Sequence, residues 1–129
     1  MRTIKFRGRD FAGAWWYGNS MSYQGNAAIQ TTNRFTATIL VDEETIGQFT
    51  GFYLDGVEIY EGDILECYYD RDVKKGVVVY YKGSFGLTKG NPYESFEDMH
   101  RFFYGSESGY KVIGNIHDNP ELINKPTND

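Results

Sequence analysis

The chain has 129 residues, a formal net charge of −5 and a sequence pI near 5.0, with 17% aromatic residues. That length suits one compact domain whose core needs no metal or disulfide staple, and the single cysteine, Cys67, excludes an intrachain disulfide. An acidic chain is a poor candidate for binding nucleic-acid duplexes, where phosphate neutralisation supplies much of the affinity. Met1 to Arg7 carries charge with no apolar run behind it, unlike a signal peptide, and no later stretch is long enough to cross a membrane. The expectation is a soluble, cytoplasmic protein with no membrane partner.

In chain order, Thr3 to Arg7 alternates as a first strand, with Ile4 and Phe6 inward and Thr3, Lys5 and Arg7 toward water. Gly8-Arg9-Asp10 breaks the pattern, Phe11 to Gly13 turns, and Trp15-Trp16-Tyr17 resumes an extended run. Adjacent tryptophans on a strand face opposite sides, so one is expected in the core and the other partly exposed. The exposed one covers a sheet edge or anchors a partner. Gly18 to Asn33, rich in Gly, Asn, Ser, Gln and Thr, reads as either a long hairpin or a mobile loop.

The β-branched run Phe35 to Val41 reads as a strand, and Asp42 caps a helical turn through Thr45. Gln48 to Thr50 is extended, with a bend or bulge at Gly51. Asp55-Gly56 is a tight-turn signal, because a type I′ turn needs positive φ at both central residues. Beyond it, Val57 and Ile59 are expected inward with Glu58 outward. Glu61-Gly62-Asp63 makes a second turn into the strand Ile64 to Tyr69.

Asp70 to Gly76 reads as a charged loop, Val77 to Tyr81 as a central strand, Lys82-Gly83-Ser84 as a turn and Phe85 to Leu87 as a short strand. Phe96, Met99, His100 and Phe103 fall at helical spacing, predicting a short amphipathic helix over 93–104 capped by Ser95. Tyr110 to Ile113 is a last strand, turned by Gly114-Asn115. Asn119-Pro120-Glu121-Leu122 suits a final helical turn with Asn119 as cap and Pro120 in first position. The predicted fold class is mostly β with minor α. It is a small antiparallel, partly closed SH3-like barrel with extra N-terminal strands, one short amphipathic helix and a C-terminal helical turn. It divides into an N-terminal strand region 1–50, a barrel-like part 51–117 and a short tail 118–129.

Four segments together resemble one family. They are Ile4-Lys5-Phe6-Arg7 with Asp10; Val41 to Gly51, with Thr45, Gly47, Gln48, Phe49 and Thr50; Asp55-Gly56 followed by Glu58 to Ile64; and Val112 to Leu122. The chain resembles the YopX family of bacteriophage and prophage proteins over nearly its whole length. Gly8-Arg9 departs from the more common small residue followed by tryptophan, the Asp55-Gly56 turn is slightly shorter than usual, and Gly18 to Asn33 matches no family pattern. The resemblance implies a mostly β fold, a phage or prophage origin and hence the cytoplasm of a bacterial host. It brings no established activity and therefore no functional residues.

Few catalytic patterns present themselves. The two histidines, His100 and His117, and Cys67 show no metal-ligand spacing, so no metal or cofactor is expected. Cys67 inside an alternating strand reads as a small buried residue rather than a nucleophile. Gly105-Ser106-Glu107-Ser108-Gly109 places Glu107, not serine, at the centre, so it is a loop and no nucleophile elbow. Glu58, Glu61 and Asp63 cluster near Asp55, but Asp63 after a glycine is explained as a turn residue bonding backbone amides. The expected role is that of a non-enzymatic accessory protein, a homo-oligomer or a binder of a host protein. Its candidate interaction surface is Trp15 and Trp16 with Tyr68, Tyr69, Tyr80, Tyr81, Arg71, Lys74, Lys75 and Lys82. A less favoured use of the tyrosine and lysine group is single-stranded nucleic-acid binding, with bases stacked on the rings. An enzyme using carboxylates or Cys67 ranks last.

Overall fold

In the computed structural model the described residues are 3–69, 72–90, 92, 95–99 and 109–123. The chain is mostly β, as expected, built from antiparallel strands in two sheets. It divides into two compact units, Met1–Phe52 and Tyr53–Asp129.

In the first unit the strands are β1 (Phe6–Arg9), β2 (Trp15–Tyr23), β3 (Asn26–Thr31), β4 (Thr38–Leu40) and β5 (Gly47–Leu54), in the order β4-β3-β2-β1-β5. Gly18 to Asn33 is therefore the hairpin of the two readings, with Gly18 paired to Thr31 and Tyr23 to Asn26. Gln24 and Gly25, at φ 50° and 83°, form its two-residue turn. Ile29, Val41 and Phe49 are buried. Gly8 lies directly under Val41 and Ile29, where a Cβ would come within 2.9 Å of Val41 Cγ2. Asp42 Oδ1 caps the 3-10 turn Glu43–Thr45 by accepting from the Glu44 amide at 3.1 Å.

The first strand begins later than expected, and its polarity is reversed. Ile4 is 63% exposed whereas Arg7 is only 7% exposed. The cause is aromatic cover: the Arg7 guanidinium lies 4.5 Å from the Trp15 ring centroid, and Lys5 Nζ 5.7 Å from that of Phe49. Both cations are thereby drawn over π faces, and their aliphatic stems take the place of apolar side chains.

β5 carries Gly51 at φ 89°, the expected irregularity, and ends in the turn Asp55-Gly56 at φ 50° and 81°, the type I′ geometry predicted. It leads into β6 (Val57–Tyr60) of the second unit. Ile59 is buried as expected, but Val57 is exposed and Tyr60 buried instead. That unit holds β7 (Asp63–Tyr69), β8 (Asp72–Tyr81), β9 (Ser84–Thr88), β10 (Glu97–Asp98) and β11 (Gly109–Asn115), in the order β10-β9-β8-β7-β11. No pairing among the described residues joins β10 to β11, so the sheet is not a closed ring. Ile64, Leu65, Val77, Val78, Phe85 and Met99 supply its core.

Two expectations in this unit change. Residues 72–76, read as part of a charged loop, belong to β8, where Lys75 opposes Glu66 and Lys74 opposes Cys67. Charged side chains on the outer part of a long hairpin need no break in the ladder. Glu97 and Asp98, read as helical, pair with Leu87 and Gly86 of β9. Gly86 permits this because a Cβ there would collide with the Glu97 carbonyl oxygen and the Phe96 ring. Residues 93, 94 and 100–104 of the expected helix, including His100 and Phe103, lie outside the described residues. Pro120–Leu122 is a 3-10 turn with Pro120 at its start, but Asn119 makes no side-chain cap, since its Oδ1 accepts from the Asn115 amide at 3.2 Å.

A Cβ on Gly18 would overlap the Gln30 carbonyl on the facing strand, a backbone neighbour that cannot rotate away. Gly18→Ala should cost roughly 1–3 kcal/mol, read as a lower urea midpoint at unchanged slope. A midpoint equal to wild type would contradict this packing.

Candidate interaction site

The sequence-predicted surface residues fall in separate places. Trp15 and Trp16 lie on β2, opposite Arg9 and Gly8, and both are half-buried rather than one core and one exposed. Trp15 is under Arg7, and Trp16 Nε1 donates to Asp10 Oδ2 at 2.9 Å. Each indole thus has a local structural task.

On the second unit, Tyr80 is exposed and packs edge-on against Phe85 at 4.9 Å. Tyr81, its strand neighbour on the opposite face, is half-buried against Phe96 at 5.2 Å, with Lys82 Nζ 5.4 Å from its centroid. Lys74 and Lys75 sit near the other end of β8, about 20 Å along the strand from Tyr80. Tyr68 and Tyr69 lie on β7, where the backbone pairs them with Val73 and Asp72. Arg71 lies outside the described residues. The structure thus brings Tyr81 and Lys82 together and separates them from Lys74 and Lys75.

The carboxylate cluster is structural. Asp63 is buried, and its Oδ2 accepts from the Tyr60 amide at 2.8 Å. Glu58 accepts from the Tyr60 hydroxyl at 2.8 Å. Gly62, at φ 92°, makes the turn between them, with His117 packed beside it. Asn115 Oδ1 accepts from the amides of His117 and Asp118 at 3.0 and 2.9 Å, which closes the last turn. Thr45 Oγ1 accepts from the Arg9 amide at 2.8 Å. The residues shared with the resembled family are therefore largely backbone fasteners. Among the described residues no group of three His, Cys, Asp or Glu side chains could hold a metal ion. No helix among them is long and apolar enough to cross a membrane.

Asp10 organises the turn after β1. Its Oδ1 accepts from the amides of Ala12 and Ala14 at 2.9 and 2.8 Å, beside the Trp16 bond. A shallow open depression lies along this turn, lined by Arg9, Asp10, Phe11, Gly13 and Asp42.

The surface that the sequence reading missed lies on β2 to β4 of the first unit. Between Asp10 and Asp42 the only charged residue is Arg34. Tyr17, Asn19, Met21 and Tyr23 alternate along one face of β2, and the pairings Met21 with Ala28 and Ala28 with Leu40 carry that face across β3 to β4. Tyr17, Tyr23 and Leu40 are 44%, 45% and 44% exposed. The signal was present: alternate tyrosine and methionine positions inside a charge-free run, obscured by the Gly, Asn and Ser between them.

The Trp16 indole N–H, then the Ala14 amide, hold the Asp10 carboxyl below the ordinary carboxylate range. A depressed folded value stabilises the native state above the unfolded pKa, and the contribution is lost as pH falls through the folded value. The difference in thermal midpoint between wild type and Asp10→Asn should therefore be full at neutral pH and shrink below about pH 4. A difference constant down to acid pH would contradict it.

The family described as YopX protein matches residues 5–124. The crystal structure of protein yopX from Bacillus subtilis is similar, with a TM-score of 0.61 at 16% identity, covering 98% of this chain and 100% of that one. At that identity the likeness is one of fold. No curated protein matches the chain.

Proposed function

This chain belongs to the YopX family, and we propose that it works without catalysis, as a module that docks onto protein surfaces, its own or a host factor's. The observation that carries this reading is the set of strands β2, β3 and β4, which hold no charged residue and present Tyr17, Tyr23 and Leu40 exposed with Met21 half-buried beside them. Protein interfaces are depleted in charge at their centres and enriched in aromatics and methionine. Tyrosine surrounded by serine, glycine and asparagine is also the chemistry of antibody paratopes, where rigid rings give area and short polar groups adapt. On the same reading the protein is a phage or prophage accessory factor in the cytoplasm of the bacterial host.

Light scattering together with capture from host lysate tests the proposal. Self-association or a captured protein is expected, weakened at least tenfold by Tyr17→Asp with Met21→Asp and unaffected by Lys111→Ala. A strict monomer that captures nothing overturns it.

A second reading, single-stranded nucleic-acid binding, is favoured by the exposed Tyr80 and by Lys82 beside Tyr81. It predicts salt-dependent binding weakened by Lys82→Glu. No binding to oligonucleotides at low salt excludes it.

A further inference from the structure

β4 stands at one edge of the first unit's sheet, and among the described residues no strand lies beyond it. The Thr31 amide donates to the Ala37 carbonyl at 2.8 Å and the Val41 amide to the Ala27 carbonyl at 3.1 Å. Residues 37, 39 and 41 therefore turn their backbone groups inward to β3, and Thr38 and Leu40 turn theirs outward. Among the described residues no hydrogen bond uses those outward groups. Natural edges are guarded by lysine, proline, bulges or brevity. Here only brevity applies: Thr36-Ala37-Thr38-Ile39-Leu40-Val41 holds no charge and no proline.

The charges lie at the two ends of this edge and have opposite sign. Arg34 precedes it, and Asp42, Glu43 and Glu44 follow it. Arg34, Glu43 and Glu44 are exposed, as are Phe35, Thr38 and Leu40. A two-fold axis through Ile39 would set Thr38 against Leu40 of the second copy, and the reverse, with reciprocal amide-to-carbonyl bonds. It would also bring the Arg34 end of each copy to the acidic end of the other. A parallel arrangement would place like charges together instead.

We infer that β4 pairs antiparallel with β4 of a second copy of this chain, joining two sheets edge to edge, and that Arg34 and Glu43–Glu44 set the direction. The inference rests on the reading of the chain as a protein-contact module and names its partner. Such a contact is small, at the low end of specific interfaces, so assembly depends on concentration. Phe35, 79% exposed, lies beside the edge and adds apolar area.

The experiment is sedimentation velocity across a concentration series with three variants. Thr38→Pro removes an outward amide without touching the β3 ladder, and it should weaken dimerisation at least tenfold. Arg34→Glu should also weaken it, with more effect at low salt. Arg34→Glu combined with Glu43→Lys and Glu44→Lys should restore it, which a merely structural role would not do. Circular dichroism of each variant excludes unfolding as the cause. A wild-type oligomer indifferent to all three variants overturns this inference but leaves the protein-contact reading standing. So does a monomer that captures a host protein. A monomer that captures nothing overturns both.

Discussion

Three two-residue turns share one backbone geometry, and the registers of both sheets depend on them. Gln24-Gly25, Asp55-Gly56 and Lys82-Gly83 each place their first residue near φ 50° and the glycine between 81° and 83°. This mirror-image turn matches the right-handed twist of the strands it joins. Because side chains alternate with a period of two, a slip of one residue would turn every inward side chain outward. Ile29, Ile59 and Val78 reach their cores because the turns before or after them hold that count.

Legibility followed how local the determining force was. Asp55-Gly56, the Asp42 cap and Pro120 at the start of a turn were readable because the residue itself dictates the backbone. The Gln24-Gly25 turn was harder, since glutamine gives no turn signal and the strands flanking it lack aliphatic alternation. Arg7 and Ile4 were misread because hydropathy assigns each residue alone, whereas Arg7 is buried by an indole from the next strand. Glu97 and Asp98 lie within the helical spacing of Phe96, Met99, His100 and Phe103, but the space left by Gly86 admits a strand there. Tertiary contact outweighed local pattern at both places.

The interaction surface was the least legible part. Aromatic and basic residues drew attention to the Tyr80–Lys82 hairpin, where alternation sends neighbouring rings to opposite faces. The scarcity of charge between Asp10 and Asp42, where Arg34 is the single charged residue, is a stronger feature. It is a property of a whole segment, and only the pairing of β2, β3 and β4 gathers it onto one face and one edge.

The last strand enters its sheet out of sequence order. β11 pairs with β7, from Gly109 opposite Tyr68 to Asn115 opposite Asp63, and among the described residues not with β10 or β9. Asp63 and Asn115 stand opposite each other at one end of that ladder, where the Asn115 turn closes the chain. A ribosome making this protein therefore exposes one whole side of β7 until Asn115 has emerged from the exit tunnel. During that interval the growing chain carries an open sheet edge of its own, and the second unit becomes complete only once β11 has been made.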